Sequence, residues 1–111
     1  MTGTRNALER LAATIEARRG ADPETGWTAK LLARGPEKCA EKFGEEAIET
    51  VIAALSQDRQ ALISESADLV YHWLVLLASR GIALEEVMAE LDRRTAQSGL
   101  EEKASRADAA D

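Results

Sequence analysis

Along most of the chain, apolar residues recur every three to four positions, the spacing that places them on one face of an α-helix. Leu8, Leu11 and Ile15, with alanines between them, predict a first helix over residues 4–19 that ends at Gly20. Residues 20–27 hold two glycines and a proline and read as a loop, followed by a short helical segment over 28–34. Gly35 stops that segment. Pro36 suits the first position of the next helix, because its missing N–H is one of the first-turn donors that would be unpaired anyway. A long second helix is expected over about 36–56. Asp58 is placed to cap a third helix over 58–80, and Gly81 to end it in a left-handed conformation. Leu84, Val87, Met88 and Leu91 form the stripe of a last helix over 84–97, which stops near Gly99. The small, polar tail over 104–111 is expected to fray.

In the third helix, Leu69, Val70, Trp73, Leu74, Val75, Leu76 and Leu77 point in nearly every direction around the axis. A helix of that kind is stable only when surrounded. Four or five helices of this size can hardly enclose it alone, so the expectation is an all-α chain that completes an intertwined bundle as a homodimer. One domain over 1–103 accounts for the pattern, with no internal repeat.

Composition narrows the classes. The 111 residues suit a single core, and 45% hydrophobic with 31% charged residues and two prolines is typical of helical bundles. Twenty acidic against fourteen basic residues leave a net charge of −6, which argues against nucleic acid and a polybasic membrane patch. A single cysteine, Cys39, forms no internal disulfide, and the first residues carry no apolar signal segment, so a cytoplasmic protein is expected. The apolar run 67–78 is about half a bilayer span and contains Asp68 and His72. It reads as a buried helix.

The chemistry lies in the two long helices. Glu46 and Glu49 are three residues apart, about 60° around the axis, and so share a face; Glu65 and Asp68 do the same on the third helix. Two antiparallel helices joined near Gln57-Asp58 would bring these four carboxylates close enough to repel strongly without a cation between them. All-oxygen donors suit Mg²⁺, or Mn²⁺, rather than structural zinc. The bland alternative is a solvated acidic face, but Glu65 and Asp68 open an otherwise apolar helix. Lys42, one turn before Glu46, is either an i, i+4 ion-pair partner or a phosphate ligand. His72 reads first as a core histidine that hydrogen-bonds within the core or orients a carboxylate. Trp27, beside Gly26 in the loop, is a candidate to stack on a base, whereas Trp73 reads as packing.

The order Glu-x-x-Glu then Glu-x-x-Asp resembles the metal signature of the MazG-like all-α nucleotide pyrophosphohydrolases. Further segments, Trp27-Thr28-Ala29-Lys30-Leu31-Leu32, Gly35-Pro36-Glu37-Lys38, Lys42-Phe43-Gly44-Glu45-Glu46-Ala47, Glu65-Ser66-Ala67-Asp68-Leu69-Val70-Tyr71-His72 and Ser98-Gly99-Leu100-Glu101-Glu102-Lys103-Ala104, resemble the stand-alone phosphoribosyl-ATP pyrophosphatases over about residues 5–106. Phe43 and Cys39 depart from that family's usual residues as core substitutions. The resemblance implies hydrolysis of phosphoribosyl-ATP to phosphoribosyl-AMP and pyrophosphate, the second step of histidine biosynthesis, by a homodimer. It implies Mg²⁺ held by Glu46, Glu49, Glu65 and Asp68, with water attacking the α–β phosphate linkage. Glu45, about 100° from Glu46, is left as the general base, a group behind the ligands, or a solvated residue. Lys30, Lys42, Lys103 and Arg106 are the candidate phosphate-binding cations. Two other readings stand beside this one: a house-cleaning enzyme acting on dUTP, dCTP or aberrant nucleotides, and a dimeric helical interaction module without catalysis.

Overall fold

The computed structural model describes residues 5–56 and 58–96. Over these residues all regular structure is helical. Helix α1 spans Ala7–Ala17, a 3₁₀ turn spans Pro23–Thr25, and helices α2 to α5 span Trp27–Arg34, Pro36–Ser56, Arg59–Ser79 and Leu84–Ala96. The expected tail, with Lys103 and Arg106, lies outside the described residues.

Local chemistry explains most boundaries. Pro36 opens α3, and Asp58, on extended backbone, caps α4 by accepting the Ala61 N–H at 2.8 Å. Gly20, Gly35 and Gly81 end α1, α2 and α4 regions with φ of 76°, 90° and 70°, the left-handed conformation that a glycine adopts without strain. Two expectations shift. The first helix starts at Ala7 rather than residue 4, because Asn6 caps it: its side chain accepts the Glu9 N–H, and the Glu9 carboxylate accepts the Asn6 N–H in return. Trp27 belongs to the first turn of α2 rather than to the preceding loop. That loop is itself partly ordered as the 3₁₀ turn, whose cap is Asp22 accepting from the Glu24 N–H at 2.9 Å.

Helices α3 and α4 form an antiparallel hairpin that is the spine of the chain. Between them, the Thr50 hydroxyl donates to the Glu46 carbonyl at 2.7 Å and lies 3.2 Å from the Glu65 carbonyl across the pair. That bridge fixes which turns of the two helices face each other. The core gathers Ile15 of α1, Leu31 of α2, Cys39 of α3, Leu74, Val75 and Ala78 of α4 and Leu84 of α5. Trp73 packs against this cluster, as expected. The Cys39 thiol points at the Leu31 carbonyl, 3.5 Å away, and burial pushes its pKa up. The Thr28 and Tyr71 hydroxyls share a hydrogen bond that ties α2 to α4.

The expectation that the third helix is surrounded is only partly met by one chain. His72, Leu74, Val75 and Ala78 of α4 are buried, but Ile63 and Val70 are exposed. On α3, Ile48, Val51, Ile52 and Leu55 recur at i, i+3, i+4 and i+7 and are all exposed, Leu55 to 83%. Although the run 67–78 is short, α4 as a whole has 21 residues and a mean hydropathy of 1.3 over its most apolar stretch, long and apolar enough to cross a membrane by those two measures. Within this fold it instead supplies the largest share of the core.

Candidate metal centre

The acids of the hairpin converge as the helical spacing predicts, with one difference. Glu46 and Glu49 project from successive turns of α3, and Glu65 from the facing turn of α4. One carboxylate oxygen from each lies within 4.8 Å of the other two. Asp68 is not part of that close set; its exposed side chain acts on Glu46 and Glu65 through its charge. The structure thus brings three of the four expected ligands together and leaves the fourth beside them.

Electrostatically, the cluster is unsatisfied. Glu46 Oε2 and Glu65 Oε1 are sealed from solvent and have no hydrogen-bond partner. Burial raises the pKa of Glu46, and the Glu49 and Asp68 charges raise it further; Glu65 is raised by burial and by Glu49, Glu46 and Asp68. A buried carboxylate oxygen without a donor is costly, and two of them aimed into one all-oxygen cluster match what a hard divalent cation requires. Oxygens around Mg²⁺ lie roughly 3–4 Å apart, so small side-chain rotations suffice to bring the three into a coordination shell.

Cations and candidate catalytic groups are distributed around this centre. Lys42 pairs with Glu45 at 3.1 Å, at i, i+3, rather than with Glu46 at i, i+4 as anticipated. Its charge nevertheless offsets part of the rise in the Glu46 pKa. Glu45 is exposed and lies outside the close set of acids. Lys30 is exposed on α2 and makes no ion pair among the described residues. Trp27 is half exposed, which leaves its ring available to a ligand.

Two residues with a part in the site were not singled out from sequence. Thr50 sets the register that lines the acids up, and its signal was a hydroxyl four residues after Glu46 inside a helix, where it back-bonds to the carbonyl. Tyr71, bonded to Thr28 and edge-on to His72 with ring centroids 4.9 Å apart, braces the next turn of α4. Nothing in its spacing marked it. The described concavities lie elsewhere, between α1, the end of α4 and the start of α5, and in neighbouring clefts. They contain none of the clustered acids, which lie on the α3/α4 hairpin.

Residues 8–95 match the family model for phosphoribosyl-ATP pyrophosphohydrolase. The chain belongs to the phosphoribosyl-ATP pyrophosphohydrolase family. The match runs from α1 through α5 and includes Lys30, Lys42, Glu45 and all four acids, whereas Lys103 and Arg106 fall beyond it. Among individual members of the family, the phosphoribosyl-ATP pyrophosphatase of Rhodobacter capsulatus is 65% identical over 100 residues, covering 90% of this chain and 97% of that protein. That of Paracoccus denitrificans is 68% identical over 99 residues, 89% of this chain and 92% of the other. That of Cereibacter sphaeroides is 66% identical over 101 residues, 91% of this chain and 98% of its own.

Proposed function

We propose that this chain hydrolyses phosphoribosyl-ATP to phosphoribosyl-AMP and pyrophosphate, the second step of histidine biosynthesis, in the cytoplasm. The observation that carries the mechanism is the convergence of Glu46, Glu49 and Glu65 with two sealed, unpaired oxygens, in a chain of this family. These three residues, joined by Asp68, would hold Mg²⁺, with Mn²⁺ as the substitute of similar chemistry. Bound there, the ion supplies charge neutralisation for the triphosphate and for departing pyrophosphate, and lowers the pKa of the attacking water.

The chain's own residues do the rest. Glu46 and Glu65 are fixed by the hairpin register that Thr50 sets, so they need little reorganisation to bind. Lys42, now paired with an exposed carboxylate, exchanges it for a phosphate oxygen at small cost, since a surface ion pair contributes little. That exchange frees the Glu45 carboxylate to accept the proton of the attacking water. The second 5′-phosphate, on the ribose carried by the adenine ring, needs a cation away from the acids; Lys30, Lys103 and Arg106 are the candidates, and the half-exposed Trp27 ring is the candidate to stack on the base.

We also propose a homodimer. The support is the exposed apolar stripe Ile48, Val51, Ile52 and Leu55 on α3, together with exposed Ile63 and Val70 on α4, apolar surface that a second copy of the chain would cover. Pyrophosphate release from phosphoribosyl-ATP, followed by phosphorus NMR with Mg²⁺ and then with a chelator, tests the reaction. Release of pyrophosphate and phosphoribosyl-AMP only with the metal is expected; release of single phosphates, or equal rates in chelator, would reject it.

A further inference from the structure

His72 of α4 is only 7% exposed, and its Nδ1 is sealed from solvent without a hydrogen-bond partner. An unpaired buried nitrogen is seldom retained without a use. Its surroundings are not those of the apolar core alone, because the charges of Lys42, Asp68 and Glu45 all reach it. The hairpin register explains why. Stepping along the antiparallel pair from the Thr50 bridge, Glu49 faces the turn of Glu65, Glu46 that of Asp68, and Lys42 that of His72. Two rungs of acids are thus followed by a rung made of one lysine and one histidine.

Burial holds the His72 imidazole below its usual pKa, and the Lys42 charge adds to that. The ring is therefore neutral near pH 7, and one of its nitrogens is an acceptor. Lys42 is the nearest cationic donor by register. In this structure that lysine is paired with Glu45 at 3.1 Å.

We propose that His72 is a positioning residue for the reaction, accepting a hydrogen bond at Nδ1 from the Lys42 ammonium once that lysine leaves Glu45 for the phosphate chain of the substrate. The inference rests on the reading of the acid rungs as a metal site, since that is where the phosphate chain is anchored one turn from Lys42. An ammonium has three donors and can serve an imidazole and a phosphate oxygen together. The imidazole then fixes the direction in which a flexible side chain presents its charge.

The chain has a single histidine, so its ring nitrogens give one unambiguous pair of ¹⁵N signals. Saturation with inorganic pyrophosphate and Mg²⁺ should shift them, and Lys42→Met should abolish the shift at saturating pyrophosphate. His72→Phe should raise the Kd for pyrophosphate about tenfold or more, whereas His72→Asn, whose amide reaches the place of Nδ1, should stay within a few-fold of the parent. Affinity for Mg²⁺ alone should be unchanged in both. If His72→Phe does not fold, the ring signals of the parent and of Lys42→Met still decide the matter. Ring signals that stay put in a protein that binds Mg²⁺, or a His72→Asn variant as weak as His72→Phe, would overturn the role of His72 alone. A parent that binds no Mg²⁺, read in a separate titration without pyrophosphate, would remove the metal site and this inference with it.

Discussion

Glu46 and Glu65 each keep a sealed oxygen without a donor beside other negative charge, so each resists ionisation unless a cation is bound. Folding raises both above the ordinary value of 4.5, so between that value and the raised one the folded chain holds protons that the unfolded chain has lost. Their ionisation therefore costs stability as pH rises through this window. Other groups act with the opposite sign: lowering the His72 pKa removes stability as pH falls below 6.5, and Glu90, held at about 2 by Arg93 and Arg94, loses its contribution as pH falls from 4.5. A comparison of variants isolates the acids. Without metal, Glu46→Gln and Glu65→Gln should melt at or above the parent near pH 7.5, and that advantage should shrink toward pH 4.5; an advantage that grows on acidification would contradict it. The same two variants and Glu49→Gln should lose about 100-fold or more of Mg²⁺-dependent turnover, and Asp68→Asn about 10–100-fold, as for a group that supports a metal from beside it. Melting curves with 5 mM-scale additions of Mg²⁺, roughly saturating for such a site, give a second reading: the parent should be stabilised and Glu46→Gln should not.

Among the helices, side-chain caps hold the ends of α1 and α4. Asp58→Ala removes the acceptor for the Ala61 N–H and should cost about 1 kcal/mol, lowering the melting temperature by roughly 4–8 °C, with turnover per folded molecule unchanged. No change on a thermal melt would mean that α4 is held at that end by something other than its cap. The α3/α4 hairpin was legible from the sequence because Pro36, Asp58 and Gly81 punctuate it with residues whose backbone chemistry allows little else. The start of α1 was not, since Asn6 and Glu9 form a reciprocal cap that competes with the apolar pattern around it. At the site, helical spacing was enough to bring Glu46, Glu49 and Glu65 together, because i, i+3 pairs on facing helices leave little freedom. It did not fix Asp68, whose distance depends on the register set by Thr50, nor the partner of Lys42, because Glu45 and Glu46 lie to either side of it on the helix surface. Lys103 and Arg106 lie outside the described residues.

For the whole molecule, the apolar stripe on α3 and part of α4 are left uncovered by the described residues of one chain. If a second copy covers that face, tenfold dilution should lower the melting temperature by roughly a few degrees, and Val51→Glu should shift the mass in solution toward the monomer. A dilution-independent melt with a monomeric parent would rule the dimer out. Metal-dependent pyrophosphohydrolases acting on other nucleotides would share the acids, so substrate choice separates them from this enzyme. A site built for the second 5′-phosphate should leave its cation and donors unpaired when that group is missing, which costs about 10⁴–10⁵ in kcat/KM where such polar contacts are buried. The most direct measurement is therefore kcat/KM for pyrophosphate release with Mg²⁺ from phosphoribosyl-ATP, ATP and dUTP, side by side on the same protein. Turnover of phosphoribosyl-ATP should exceed that of ATP by several orders of magnitude, on the order of the ratio above, whereas comparable rates for ATP, or a preference for dUTP, would contradict the account.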